Sequence, residues 1–380
     1  MSLLPFTELE LEPVLLPIEG ARGLPRAAYF DAAVFEFEKA RLFRTSWQYV
    51  ARECELANVG DFVRSQVAGE DVLLVRGPDL EIRAFFNVCR HRGLRLVEEP
   101  CGRASRFECA YHGWVYELSG ALRVAPSMPA TFRRDCHALA ALRVSVWHGF
   151  VFTCLDAATP SVEVALAGAP DWLRRAELSH LRLGRTTAHE VEANWKLCVE
   201  NFQESHHFRR VHPALEAQTP SSSATSWSSE GAWLGGLMQL ADERRTVSAA
   251  ASVPERPFVV PPAERRRVAD AFAFPALLTS LQPDYLLTYQ LDPVSPTRTR
   301  VTAKVYFHAA AFAPALDAAD VFEFWDRVNA EDKSICERQQ RGLASSSFTS
   351  ASYSMLEDGV LAFDRRVAEL YLTALRGGAA

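Results

Sequence analysis

Two short segments of this 380-residue chain each join a thiol to an imidazole. They read Cys89-Arg90-His91-Arg92-Gly93 and Cys109-Ala110-Tyr111-His112-Gly113-Trp114, with residues 92–108 between His91 and Cys109. One thiolate and one neutral imidazole from each of two loops can hold a two-iron cluster, both sulfurs on one iron and both ring nitrogens on the other. A glycine directly after each histidine lets the loop turn tightly and brings backbone N–H groups close to the cluster sulfides. Those hydrogen bonds, and the exchange of thiolate for imidazole, raise the reduction potential above that of an all-cysteine cluster. A structural zinc site is the competing reading, but it pairs like donors as Cys-x-x-Cys and His-x-x-x-His, a spacing absent here. The other competitor is a chance meeting of core cysteines with surface histidines.

A second constellation lies in residues 194–213, NWKLCVENFQESHHFRRVHP. Glu200, Glu204 and His207 fall at i, i+4 and i+7, so a continuous helix would put all three on one face. His212 comes five residues after His207, about 140° away on an ideal helix. The two imidazoles meet at one metal only if the helix distorts or ends between them. Pro213 supplies a reason, because the residue before a proline is pushed out of the α region. Two histidines then need one carboxylate to complete the facial triad of a non-haem Fe(II) site. Without that carboxylate, histidines on a polar helix are ordinary solvated surface.

These residues require elements to hold them. Residues 61–67, 71–75 and 80–88 read as short β runs punctuated by Ala68-Gly69 and Gly77-Pro78. The same texture continues through 106–116, 122–124 and 145–152, a small all-β module carrying both thiol–imidazole pairs. Residues 27–49 show a helical apolar stripe. Beyond 157 the text is helical at 194–211, loop-like over the Ser-rich 219–229 and over 254–267 (a surface loop), and strand-like at 285–291 and 299–308. It is helical again at 318–341 and 360–375. The expected fold class is α+β, a small β domain followed by a mixed one.

Composition narrows the function classes. Hydrophobic residues at 48% and charged residues at 23% describe a globular chain and exclude disordered, collagenous or coiled-coil classes. A net charge of −6 argues against nucleic acid as the main partner. The first twenty residues carry acid where a secretory signal carries base, and no run approaches the ~20 apolar residues of a spanning helix. The expectation is a cytoplasmic protein without a membrane anchor, its eight cysteines unpaired.

Cys89, His91, Cys109 and His112 resemble the ligands of a Rieske cluster. Respiratory Rieske proteins add a disulfide through a cysteine soon after the first histidine; here that stretch is Arg92-Gly93-Leu94-Arg95-Leu96, so the disulfide-free oxygenase type fits better. Ala110 stands where those oxygenases often carry Pro. Downstream, Asn194-Trp195-Lys196, Glu200-Asn201-Phe202 and Glu204-x-x-His207-x4-His212-Pro213 resemble the catalytic motif of Rieske non-haem iron oxygenases. The resemblance runs from Leu24-Pro25-Arg26 to the helix near Tyr371. It implies that His207 and His212 bind a mononuclear iron. It also implies that Glu204, where the family usually keeps Asp, bridges the Rieske histidine of a neighbouring subunit to an iron-bound histidine. His206 replaces a common Tyr, in the cavity or on the surface. The third iron ligand implied by the pattern is Asp332, ahead of Gln339 and Gly342-Leu343, with Glu331 and Glu337 as competitors and solvated helix charges as the bland alternative.

The same resemblance implies an N-terminal helical segment over 1–45 packing on the catalytic domain, a Rieske 2Fe-2S domain over 46–156 and a helix-grip-like catalytic domain over 157–380. It implies a homotrimer in which electrons cross between subunits, with O2 as co-substrate. No Gly-x-Gly-x-x-Gly fingerprint accompanies a strand, so flavin and NAD(P)H belong to a separate reductase. Gln339, Gly342-Leu343 and Ser345-Ser346 look most like the monooxygenase branch acting on choline, glycine betaine, carnitine and stachydrine. That implies hydroxylation or oxidative N-demethylation of a small-molecule amine, with Trp227, Trp233, Tyr285 and Tyr289 as candidate cation-facing aromatics. An aromatic-ring hydroxylating oxygenase and a plain electron-transfer Rieske protein are the alternatives.

Overall fold

β-Branched and aromatic runs bounded by Gly, Asp and Pro become ten short strands across residues 48–154 of the computed structural model, which describes residues 4–229, 231–250, 254–275 and 277–377. They are β1 Gln48–Arg52, β2 Asp61–Val67, β3 Glu70–Arg76, β4 Ile82–Phe86, β5 Cys101–Arg103, β6 Phe107–Glu108, β7 Val115–Tyr116, β8 Leu122–Val124, β9 Ala141–Trp147 and β10 Phe150–Cys154. Seven form one sheet in the order β1-β10-β9-β4-β3-β2-β5, and β6-β7-β8 form a second. Together they make one compact unit, Leu42–Ala165. Residues 145–152, read from sequence as one run, are a hairpin instead. His148 and Gly149 both have positive φ, 47° and 75°, as the tight turn between β9 and β10 requires. Phe62, Leu73, Phe85, Phe107, Trp114 and Tyr116 fill the core beneath the two cluster loops.

The other unit comprises Met1–Arg41 and Leu166–Ala380. Its sheet is antiparallel, in the order β11-β17-β16-β15-β14-β13-β12. The strands are β11 Leu181–Val191, β12 Thr225–Ser228, β13 Trp233–Gln239, β14 Arg267–Ala273, β15 Leu277–Leu281, β16 Tyr285–Ser295 and β17 Arg298–His308. Four helices matter for the site: α1 Ala32–Glu38, α2 Trp195–Phe202, α3 Ala319–Leu343 and α4 Asp358–Gly377. Tyr285, Leu287, Val305 and Phe307 of the sheet pack with Val321, Phe324 and Val328 of α3 in one buried cluster.

Several local expectations change. The helix expected over 27–49 is instead a 3-10 turn at Arg26–Tyr29, then α1, capped by Asp31 on the N–H of Ala33 at 2.7 Å and running on into a π turn at Lys39–Phe43, while Gln48 onward is drawn into β1 by pairing with β10. The Ser-rich 219–229 contains β12, because Trp227 pairs across to Gly235 of β13. The segment 254–267 is not simply a surface loop. Arg256 is buried and ion-paired with Asp284 and Asp320, each at 2.8 Å. A buried pair also pins α1 to α2. Glu38 accepts from Lys196 Nζ at 2.6 Å and from Trp195 Nε1 at 2.9 Å, and Tyr371 of α4 donates to it as well.

Candidate metal centres and the cavity beside them

The two cluster loops are built alike. Cys89 N–H donates to Leu94 O at 2.8 Å and Gly93 N–H to Cys89 O at 3.0 Å; Cys109 N–H donates to Trp114 O at 2.8 Å and Gly113 N–H to Cys109 O at 3.0 Å. Both glycines have positive φ, 75° and 65°. A Cβ at Gly93 would meet nothing within 4 Å, so the backbone angle and not space demands glycine there. The result is a matched pair of donors: two buried thiols below and two half-buried imidazoles above. The Nδ1 atoms of His91 and His112 approach to 3.1 Å. Burial pushes the Cys109 thiol up, with the adjoining Cys89 adding to the rise, while the N–H groups of Tyr111 and His112 pull the other way. Tyr116, fully buried, lies 3.5 Å from Cys89 Sγ through its hydroxyl and accepts the N–H of Arg90 at 2.9 Å. Trp114 stacks on the His91 ring, centroids 4.8 Å apart.

In the other unit α2 ends at Phe202, earlier than one unbroken helix through His207 would. The cause is local: the Glu204 carboxylate takes the His207 N–H at 3.1 Å and so starts the next turn, Phe208–Val211, as an N-terminal acid does. That turn ends at His212, whose backbone (φ −124°, ψ 63°) has left the α region ahead of Pro213. Two breaks thus replace the single one that spacing demanded, and they bring the imidazoles together, with ring centroids 5.0 Å apart.

Asp332, on α3, completes the group. His207, His212 and Asp332 have donor atoms all within 4.8 Å of one another, the one set of three or more such donors among the described residues. Asp332 Oδ1 lies 2.7 Å from His212 Nε2 and 3.7 Å from His207 Nε2. The far nitrogens are held too: His207 Nδ1 by Glu204 Oε1 at 2.5 Å and His212 Nδ1 by Glu331 Oε2 at 2.6 Å. Each ring is therefore locked with Nε2 facing Asp332 and Nδ1 backed by a carboxylate, the arrangement of metal-binding histidines. Burial alone would raise Asp332, but His207 and His212 outweigh it and hold the carboxyl below its usual range. Burial lowers His207, but Asp332 and Glu204 prevail and raise it to about 9.

The three donors face a cavity of about 900 Å³ including its open mouth. Of the four aromatics proposed from sequence to line it, Tyr289 does. Tyr285 is buried with its hydroxyl on Val247 O, Trp233 is buried with Nε1 on Leu166 O, and Trp227 packs edge-on against Trp172. His206 is exposed and outside the lining, and Glu337 pairs with Lys333 at 3.8 Å.

The catalytic-domain model of the ring hydroxylating alpha subunit family matches residues 178–373, more than half of the chain. The chain belongs to that family. A Rieske [2Fe-2S] domain model matches residues 46–143 as well. The glycine betaine monooxygenase oxygenase subunit of Pseudomonas aeruginosa is 28% identical over 90% of this chain and 87% of its own. The carnitine monooxygenase oxygenase subunit of Escherichia coli K12 is 37% identical over 50% of this chain and 52% of its own. The crystal structure of the quaternary ammonium Rieske monooxygenase CntA superposes with a TM-score of 0.83 at 25% identity, covering 96% of this chain and 99% of that one.

The donor sets fit the groups that this family carries. The cysteines and histidines of the β unit do not converge on one point, as a single tetrahedral ion would need, but form a thiol pair and an imidazole pair, as a two-iron cluster needs. Two imidazoles and a carboxylate beside an open cavity suit a mononuclear non-haem iron. Sequence reasoning did not pick out Tyr116, Asp270 or the backing role of Glu331. Tyr116 had only its aromatic character to mark it, and the other two are defined by partners far away in the chain. No helix among the described residues is long and apolar enough to cross a membrane.

Proposed function

We propose that this chain is the terminal oxygenase component that uses O2 and two electrons from a separate NAD(P)H-dependent flavin reductase to hydroxylate or oxidatively N-demethylate a small amine or quaternary ammonium compound. The observation that carries the reading is the convergence of His207, His212 and Asp332 on one wall of a largely apolar cavity, with a carboxylate behind each imidazole. Relatives named for glycine betaine, for carnitine and for N,N-dimethyl phenylurea N-demethylation support the substrate class.

In this reading Cys89, His91, Cys109 and His112 hold the 2Fe-2S cluster, and His207, His212 and Asp332 hold the iron. The iron would supply open positions for O2 beside the substrate, and the cluster would supply electrons one at a time. The chain's own residues prepare for that chemistry. Glu204 and Glu331 keep protons on the Nδ1 atoms, leaving both Nε2 lone pairs for the metal. Phe202, Phe208, Val268, Leu291 and Val301 wall the cavity against water. Glu204 borders three neighbouring cavities, a position suited to an electron bridge from a second subunit's Rieske histidine in a homotrimer. A related CntA structure is described in terms of inter-subunit electron transfer. A cytoplasmic setting, where NAD(P)H is supplied, fits the separate reductase in this reading.

The test is a screen with a surrogate reductase, comparing methylated amines with aromatic acids and following O2 uptake and formaldehyde. Formaldehyde from methylated amines is the expected result. Oxidised aromatic acids without amine turnover would instead make the chain a ring oxygenase. Absence of O2 consumption by protein holding about three irons would overturn the oxygenase reading.

A further inference from the structure

On the sheet side of the cavity, β14 places Asp270 directly opposite Ser280 of β15 on one flank and Gly236 of β13 on the other. Gly236 has no side chain to cover the carboxylate. Ser280 hydrogen-bonds it. Gln282 Nε2 donates to Ser280 Oγ at 2.9 Å, which fills the hydroxyl's acceptor role and leaves its proton for Asp270. The second carboxylate oxygen, Oδ1, is buried without a partner. Leaving a buried anion half-satisfied costs stability that a packed apolar residue would not. The residue therefore needs a reason, and the cavity it lines offers one.

The surrounding charges define what completes it. Among the described residues no arginine lines the cavity, and its lysine, Lys333, is engaged by Glu337 at 3.8 Å. His189 is held toward its neutral form by burial and by Lys333. Among the described lining residues no unpaired arginine or lysine is thus available for a substrate carboxylate. Aromatic faces are available for a cation: Phe202 and Tyr289 meet edge-on with centroids 6.1 Å apart, and Trp325 lines the same space.

We infer that Asp270 is the anionic anchor for the substrate's ammonium group, and that the preferred substrate is a methylated amine of net positive charge rather than a short zwitterionic betaine. A betaine that seats its ammonium on Asp270 would hold its own carboxylate close to that anion, with no arginine and no lysine beyond the Lys333–Glu337 pair among the described lining residues to offset the repulsion. The inference rests on the amine-oxidising function proposed above and narrows it. Burial lifts Asp270 to about 7, against the pull of Ser280. The carboxyl is ionised above that pH, so cation binding is full at pH 8 and weakens as pH falls through about 7. The other titratable groups facing the cavity are Glu204, His207, His212, Asp332, Lys333, His189, Tyr289 and the thiols Cys198 and Cys336. Asp270→Asn keeps all of these and isolates the one carboxylate.

The experiment titrates the metal-loaded protein calorimetrically with tetramethylammonium, choline and glycine betaine at pH 6 and pH 8, as wild type and D270N, alongside formaldehyde release. Wild type is expected to bind the two cations more tightly than glycine betaine, and more tightly at pH 8. D270N is expected to lose about 10- to 100-fold in cation affinity and most of the pH difference, with iron content and Rieske absorbance unchanged. If D270N does not fold, Ser280→Ala retains the charge but loses the hydrogen bond, and the pH midpoint should move upward. Cation binding by D270N equal to wild type, glycine betaine bound as tightly as choline, or an unmoved midpoint in S280A would each overturn the anchor while amine oxidation stands. Failure of wild type to bind or oxidise any methylated amine would overturn the function itself, and the anchor with it.

Discussion

Glu331 touches no metal donor site on Asp332 or His207, yet it should control how tightly iron is held. Its Oε2 accepts from His212 Nδ1 at 2.6 Å, while Asp332 meets the Nε2 of the same ring at 2.7 Å. The ring is buried, 1% exposed, so its orientation comes from these two carboxylates. Replacing Glu331 by Ala removes the acceptor that fixes both the tautomer and the ring angle. Groups in this backing position typically contribute 10- to 100-fold in metal affinity, or about 1.4–2.7 kcal/mol. Glu331 is 33% exposed, so water replaces part of the lost bond and the lower half of that range is expected. Glu331→Gln retains an acceptor oxygen and should recover most of the loss. The assay is anaerobic competition for Fe(II) against a chelator, with the visible Rieske absorbance as internal control. Wild-type affinity in E331A would refute the reasoning. An E331A variant empty of iron beside an iron-replete D332A would mean that the two acids have exchanged roles.

Asp332→Ala should abolish mononuclear iron while leaving the Rieske spectrum intact; loss of both the mononuclear iron and the Rieske signal would sink the ligand assignment. Glu204→Gln should retain both centres but stop product formation, and turnover at the wild-type rate would remove the bridge role. Tyr116→Phe deletes the hydroxyl beside Cys89 Sγ and should lower the cluster's reduction potential by about 40 mV, read by protein-film voltammetry. Glu38→Ala strands the buried Lys196 ammonium and should destabilise its unit by about 3–5 kcal/mol, seen as a lower denaturant midpoint. The double variant with Lys196→Met should regain most of that.

The cluster loops were legible in sequence because each thiol–imidazole pair is local: two donors and a glycine within five residues leave little else to decide. His207 and His212 were legible through Pro213, which announces a break by its own stereochemistry. The break after Phe202 was not, since it depends on Glu204 turning back onto the His207 N–H instead of continuing a helical face. Asp332 was separable from Glu331 only by resemblance. On a helix the two are neighbours of the same charge, and their different roles come from which nitrogen of His212 each one meets. Asp270 offered no signal, because its meaning lies in its cross-strand neighbours and an unfilled oxygen. The same holds for Arg256, whose loop looked like surface until Asp284 and Asp320, distant in sequence, closed around it.

Glu38 reaches Lys196, Trp195 and Tyr371, Tyr29 donates to Glu200, and Phe6 packs on the Tyr371 ring at 5.1 Å. The segment carrying Phe6, Tyr29 and Glu38 therefore finds its full seat only after α4 has left the ribosome. At cellular elongation rates the wait from residue 41 to residue 371 is roughly 15–65 s. The β unit between them is continuous in the chain and can close on itself long before. During that interval the apolar face of α1, with Val34, Phe35 and Phe37 uncovered, is a sticky leader dangling from a finished domain. Translation speed and chaperone supply should thus govern the yield of active protein more than cluster assembly does, and a tag or fusion that restrains the amino-terminal segment should be felt at the iron, not at the cluster.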